Sequence, residues 1–105
     1  MSAGANPARG EAGFMVGGEA IVLRPSFAAL VAAEAELGPL FALVERAAEG
    51  RLGLGEMASL FFHCTVDRPE GVSRERIGQA IAEGGLAKAT PTLRVLLTQI
   101  LQGRI

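Results

Sequence analysis

The chain has 105 residues, half of them hydrophobic, which is enough for one domain with a core and too few for two. Ten basic and eleven acidic side chains leave a formal net charge of −1, and with no Trp, no Tyr and no basic block, nucleic-acid binding by phosphate contacts or base stacking is not supported. Cys64 is the single cysteine, so no disulfide can form within the chain and a reducing cytoplasm is the expected setting.

Residues 1–10, small and polar with Pro7 and two glycines, read as a flexible N-terminal arm. Met1 to Glu11 carries no apolar stretch, so it does not read as a signal peptide. No apolar run approaches the roughly 18 residues of a membrane span, so no membrane partner is expected. The remaining 11–105 read as a single hairpin-plus-helical domain.

Residues 11–24 alternate as two strands around Gly17-Gly18, a pair suited to the positive φ angles of a tight hairpin turn. Phe14 and Val16 share one face with Ile21 and Leu23; Met15, Ala20 and Val22 point the other way. A hairpin apolar on both faces cannot stand alone in water, so one face should pack on helices, and the hairpin either offers its other face to a partner or serves only to close the core.

At Leu23-Arg24-Pro25-Ser26-Phe27 the apolar period changes from two to that of a helix. Pro25 cannot donate to a sheet, and Ser26 is a natural N-cap. The spacing predicts a first helix over 26–37 with Phe27, Leu30, Val31 and Leu37 inward and Glu34 and Glu36 toward water. Gly38-Pro39 forces a sharp corner into a second helix over 39–49, with Leu40, Leu43, Val44 and Ala47 as its stripe. In the connector after it, Leu52 and Leu54 are expected to tuck down as plugs. Its glycines do not make a phosphate loop, because no Lys-Ser or Lys-Thr follows and no strand precedes.

A third helix is expected over 56–66. Met57, Leu60, Phe61 and Cys64 share one face; Phe62 and Val66 lie nearly opposite, which suits a helix that is central or half of an interface. Ser73 should cap a fourth helix with Ile77, Ala80 and Ile81 inward. After Gly84-Gly85, Leu86–Ala89 reads as a linking turn. Thr90 and Pro91 then open a last helix carrying Leu93, Leu96, Leu97, Ile100 and Leu101. The fold class is therefore α+β and mainly α: an N-terminal β-hairpin followed by about five short helices in one compact domain.

No catalytic constellation emerges from the spacing. His63 and Cys64 are adjacent, so on a helix they point about 100° apart and cannot pair as base and nucleophile. One His, one Cys and scattered carboxylates do not make a metal site, and no cofactor is expected. The surplus apolar positions instead suggest a partner surface formed by Met15 and Val22 on the hairpin and Phe62 and Val66 on the third helix.

Two segments are distinctive: Asn6-Pro7-Ala8-Arg9-Gly10-Glu11 before the hairpin, and Leu23-Arg24-Pro25-Ser26-Phe27 after it. With Leu52, Leu54, Glu56, Ile77-Gly78, Gly85-Leu86 and the Leu-rich end, they make the chain resemble, over nearly its whole length, a family of small proteins from the tail gene clusters of alphaproteobacterial gene transfer agents and related siphophages. That family is labelled a tail tube protein. The chain is also similar to the tail assembly chaperones of long-tailed phages. The resemblance implies no enzyme activity. It implies a tail assembly chaperone that binds the tape-measure protein and helps recruit tail tube protein in the bacterial cytoplasm during particle assembly. The alternative is a structural tube component retained in the tail of the particle, with self-association as a further option and a prophage remnant as an alternative source.

Overall fold

In the computed structural model, residues 5–6 and 10–103 are described. Most of the arm expected over 1–10 thus lies outside the described residues. The hairpin is present. Strands β1 (Ala12–Val16) and β2 (Glu19–Leu23) pair antiparallel, with Ala12 opposite Leu23 and Phe14 opposite Ile21. Gly17 and Gly18 have φ of 57° and 82°, the double-positive combination a two-residue type I′ turn requires. Ala12, Val16, Ile21 and Leu23 are buried, and the Phe14 ring meets Phe61 edge-to-face at 5.2 Å between centroids.

Five helices follow: α1 (Phe27–Leu37), α2 (Leu40–Ala48), α3 (Leu54–Cys64), α4 (Arg74–Gly84) and α5 (Leu86–Gln102). The Ser26 hydroxyl accepts from the Ala29 N–H at 3.2 Å, and Ser73 does the same for Arg76 at 3.1 Å, so both expected caps are formed. α1 and α2 meet at a bend of 77°, the corner that Gly38-Pro39 predicts. Pro39 offers no side-chain acceptor, and the Glu34 carboxylate supplies one instead, accepting from the Leu40 N–H at 3.2 Å. Among the described residues, no single helix is long and apolar enough to cross a membrane.

Helix α3 is the centre of the core, with Met57, Ala58, Ser59, Leu60, Phe61 and Cys64 all buried. Against it α4 sets Ile77 and Ile81, and Gly78 brings the two helices close: a Cβ there would stand 3.5 Å from that of Ala58. α5 buries Ala89, Thr92 and Leu96, and the Thr92 hydroxyl donates to the Gly13 carbonyl at 2.9 Å, tying the last helix to β1.

Three helix expectations are corrected. The third helix begins two residues early, at Leu54, which is 41% exposed rather than a plug; only Leu52 packs on the core. It also ends at Cys64, short of Val66. The reason is the free edge of β2. Leaving the helix lets the chain pair there: Arg24 N–H donates to the Cys64 carbonyl and Val66 N–H to the Val22 carbonyl, both at 2.8 Å, with Leu23 opposite Thr65. Residues 64–66 thus serve as a rudimentary third strand. At the other end, Leu86–Ala89 is no linking turn but the first turn of α5, and Pro91 lies inside the helix. Gly85 alone, at φ 91°, reverses the chain. Pro91 deprives Ala87 of its usual intrahelical donor. The fully buried Ala89 holds that turn in place by tertiary packing, and the Thr90 hydroxyl, which caps nothing, donates back to Leu86 O at 2.9 Å.

The largest departure is α1. Its buried residues are Ala29 and Ala33, whereas Phe27 is 84% exposed and Val31 49%. Leu30 and Leu37 are only half-buried. Ala29, Ala33 and Glu36 share one helix face at i, i+4, i+7; Phe27, Val31 and Glu34 share a face roughly 180° away at ~100° per residue. The helix turns its small side chains to α3 and its large ones outward.

Candidate partner interface

The four residues singled out on the sequence fall in two separate places. Met15 is 56% exposed on the outer face of the hairpin, and Val22 is half-buried beside it. They border a shallow apolar depression together with Ala20, Thr92 and Lys88 of α5. Val66 joins them through its backbone bond to Val22 and not through a helix face shared with Phe62. Phe62 is half-buried and packs on the core; the Arg68 guanidinium lies 3.8 Å from its ring centroid and that of Arg74 lies 5.0 Å away. These cations occupy the ring face by cation–π attraction, so Phe62 is not part of an open apolar surface.

A second apolar region was not legible in the hydrophobic pattern. α1, α2 and the end of α5 enclose a groove lined by Leu40, Val44 and Ile100, with Phe41 and Leu101 at its lips. Phe41 is 77% exposed and Leu101 54%. The Phe27–Val31–Glu34 stripe of α1 leads into this groove through Glu34, which lines it. The signal that could have found it is the i, i+4 pair Ala29 and Ala33. When a helix is apolar on both sides, small residues at that spacing permit the closer approach to a neighbour, and the bulkier stripe is left outside.

A polar cluster lies between α1, α3 and α4. Ser59 donates to Glu36 Oε2 at 3.1 Å, Arg74 pairs with the same oxygen, and His63 Nε2 stands 2.7 Å from Oε1. Glu36 faces water as expected, and from that exposed position it also fastens the alanine face of α1. The bond to His63, assisted by those to Ser59 and by the Arg74 charge, holds its carboxyl below the usual carboxylate range, against a smaller opposing effect of burial. Ser59 and His63 each engage the carboxylate, one on each oxygen, so they do not form a nucleophile–base pair. Cys64 is buried, and burial pushes its thiol up to about 12, which leaves it protonated at neutral pH. Among the described residues, no three His, Cys, Asp or Glu side chains converge as metal ligands do.

The two distinctive sequence segments come together in space. The buried Glu11 carboxylate accepts from the Asn6 N–H at 2.9 Å and from Arg24 Nε at 3.0 Å, and the Glu11 N–H donates back to Asn6 O at 3.2 Å. This knot ties the end of the arm to the strand–helix junction.

A hairpin tied to five helices, with exposed apolar side chains on two outer faces, defines a small α+β protein that is mainly α. The chain belongs to the family described as phage tail tube protein, GTA-gp10, whose family model matches residues 9–103. No curated protein and no solved structure matches it.

Proposed function

We propose that this chain is a non-enzymatic tail protein that acts while the tail is built, as a chaperone that binds the tape-measure protein and helps recruit tube subunits around it in the bacterial cytoplasm. The observation that carries this reading is the fold. Among the described residues the sheet is one two-stranded hairpin, with the free edge of β2 already occupied by residues 64–66, which gives little from which to close a tube wall, while exposed Phe27, Phe41 and Met15 give apolar surface for masking other chains. The non-enzymatic part is supported by the commitment of Ser59 and His63 to Glu36 and by the protonated, buried Cys64. A specific observation favours a second reading, a structural tube component that stays in the particle: the family's description names the tube, and it fits that reading better than it fits a chaperone.

One experiment separates them. Tagged chain is recovered from producing cells and, in parallel, purified particles are quantified for the same chain. The chaperone reading expects the tape-measure protein in the first sample and the chain absent from the second. The chain at ring stoichiometry in the particles overturns it in favour of the tube.

A further inference from the structure

The N-terminal end of the chain and the outer hairpin face meet. Ala5, the first described residue, lines the apolar depression together with Gly13, Met15, Ala20 and Val22. Strand pairing shapes its floor. Gly13 stands opposite Val22 and Met15 opposite Ala20, so each pair on the outer face sets one small residue against one large one. The floor is low at Gly13 and Ala20, and Ala5 sits at the Gly13 end of it. A Cβ built on Gly13 would stand 3.8 Å from the Ala5 Cβ, an ordinary contact that a larger side chain would break.

The Glu11 knot points the chain there. The Glu11 carboxylate, 6% exposed, accepts from the Asn6 N–H and from the Arg24 guanidinium, and the Glu11 N–H returns a bond to Asn6 O. A buried carboxylate holds such partners firmly, because releasing them would leave it unpaired in a desolvated site. Asn6 is thereby fixed at the strand–helix junction, and the residue before it is delivered to the depression.

We infer that residues 1–4, Met-Ser-Ala-Gly, close over this depression as a strap, so that the chain covers its own outer hairpin face and a partner for that face has to displace the strap. Reach, chemistry and tethering name this segment as the occupant. Four extended residues span about 13 Å, against ~4.8 Å between the two strands and ~6.6 Å from Gly13 to Met15. The segment has no charged side chain, and after Met1 its side chains are small, so they lie flat in a shallow depression and lose little rotamer freedom there. Held at Asn6, it meets the face at the high effective concentration of an intramolecular contact. A small buried area then suffices to close it, while a partner that buries more can still displace it. The inference goes beyond the reading of the chain as a tail protein and is the same for a chaperone and for a tube component.

The test uses the full chain in solution. In the wild type, nuclear Overhauser contacts should join the Ala3 methyl group to those of Met15 and Val22. In a mixture of two differently isotope-labelled samples they should appear within a chain and not between chains. Glu11→Ala removes the acceptor that holds Asn6, and Gly13→Val fills the low floor with a side chain suited to an exposed strand. Each should abolish these contacts with an unchanged circular-dichroism spectrum. Glu11→Ala should also let hydrogen peroxide convert Met15 to its sulfoxide severalfold faster, with buried Met57 at its wild-type rate. Wild-type chain without the Ala3 contacts overturns the inference, as do contacts that survive in Glu11→Ala, which would mean that the knot does not direct the strap. Contacts between differently labelled chains overturn it in favour of a second copy as the occupant. If Glu11→Ala loses its fold, Gly13→Val alone decides, by the loss or survival of the same contacts.

Discussion

Helices α1 and α4 have the same length and the same local punctuation. Each spans eleven residues, starts at a serine whose hydroxyl accepts an N–H from the first turn, and stops at a glycine near φ 90°. Yet α4 buries Ile77 and Ile81 and shows water Arg74, Glu75 and Glu83, while α1 buries Ala29 and Ala33 and shows water Phe27 and Val31. The difference teaches that capping residues fix where a helix begins and ends but not which side it buries. α4 has a polar face, so only one orientation avoids burying charge. α1 is apolar around most of its circumference, so the choice falls to the neighbour, and α3 takes the face that fits closest and carries Glu36 to meet Ser59, His63 and Arg74.

The comparison breaks most visibly under truncation. Ile77→Ala or Ile81→Ala should lower stability by about 2–5 kcal/mol, as deletion of fully buried side chains does. Phe27→Ala and Val31→Ala should each change it by no more than ~0.5 kcal/mol, as exposed sites do. Urea midpoints of the four variants check this, and a costly Phe27→Ala would mean that the large face of α1 is the inner one. Enlarging the small face is the converse. Ala33→Leu should cost about 1–3 kcal/mol by overpacking the contact with α3, although leucine is a good helix former.

The caps should show the likeness that burial does not. Ser26→Ala and Ser73→Ala should each cost about 1 kcal/mol, nearly the same amount on both helices, measured by thermal unfolding. The smallest effect is that of the Glu36 clamp, which is bonded but solvent-accessible. Its carboxyl titrates below the ordinary value of 4.5, so the folded state binds its proton less readily than the unfolded state does. Its contribution is therefore fully present above that ordinary value and is lost as pH falls below it and through the lower value of the folded state. The stability gap between wild type and Glu36→Gln should be open at pH 7 and should close under acid. A gap that persists at acid pH would show that the carboxylate charge is not what fastens α1.

Much of the site is hidden from local sequence pattern for the same reason that the buried side of α1 is. Met15 and Val22 could be assigned to an outer face because strand alternation is strict: once Val16, Ile21 and Leu23 are inside, their neighbours are outside. Phe62 is expected on an outer face of the third helix, but it packs on the core, and two arginines from later in the chain, Arg68 and Arg74, lie over its ring. Val66 was placed on a helix that ends earlier, because the pairing that ends it involves β2, over forty residues before it in sequence. The groove at Phe41 and Leu101 joins α2 to the end of α5, and its one local signal is the small-residue pair Ala29 and Ala33 on α1.

The sequence by itself determined the hairpin and its faces, the two serine caps and the corner at Gly38-Pro39, since these depend on backbone chemistry within a few residues: positive φ at glycine, the missing N–H of proline, a hydroxyl within reach of the next turn. Tertiary structure alone decided which side of α1 is buried, where α3 stops, that α5 runs on through Pro91, and that Glu11 and Arg24 meet. Each of those is a choice between local conformations of similar free energy, and packing or pairing with a distant segment, available only once the chain has collapsed, tips the balance.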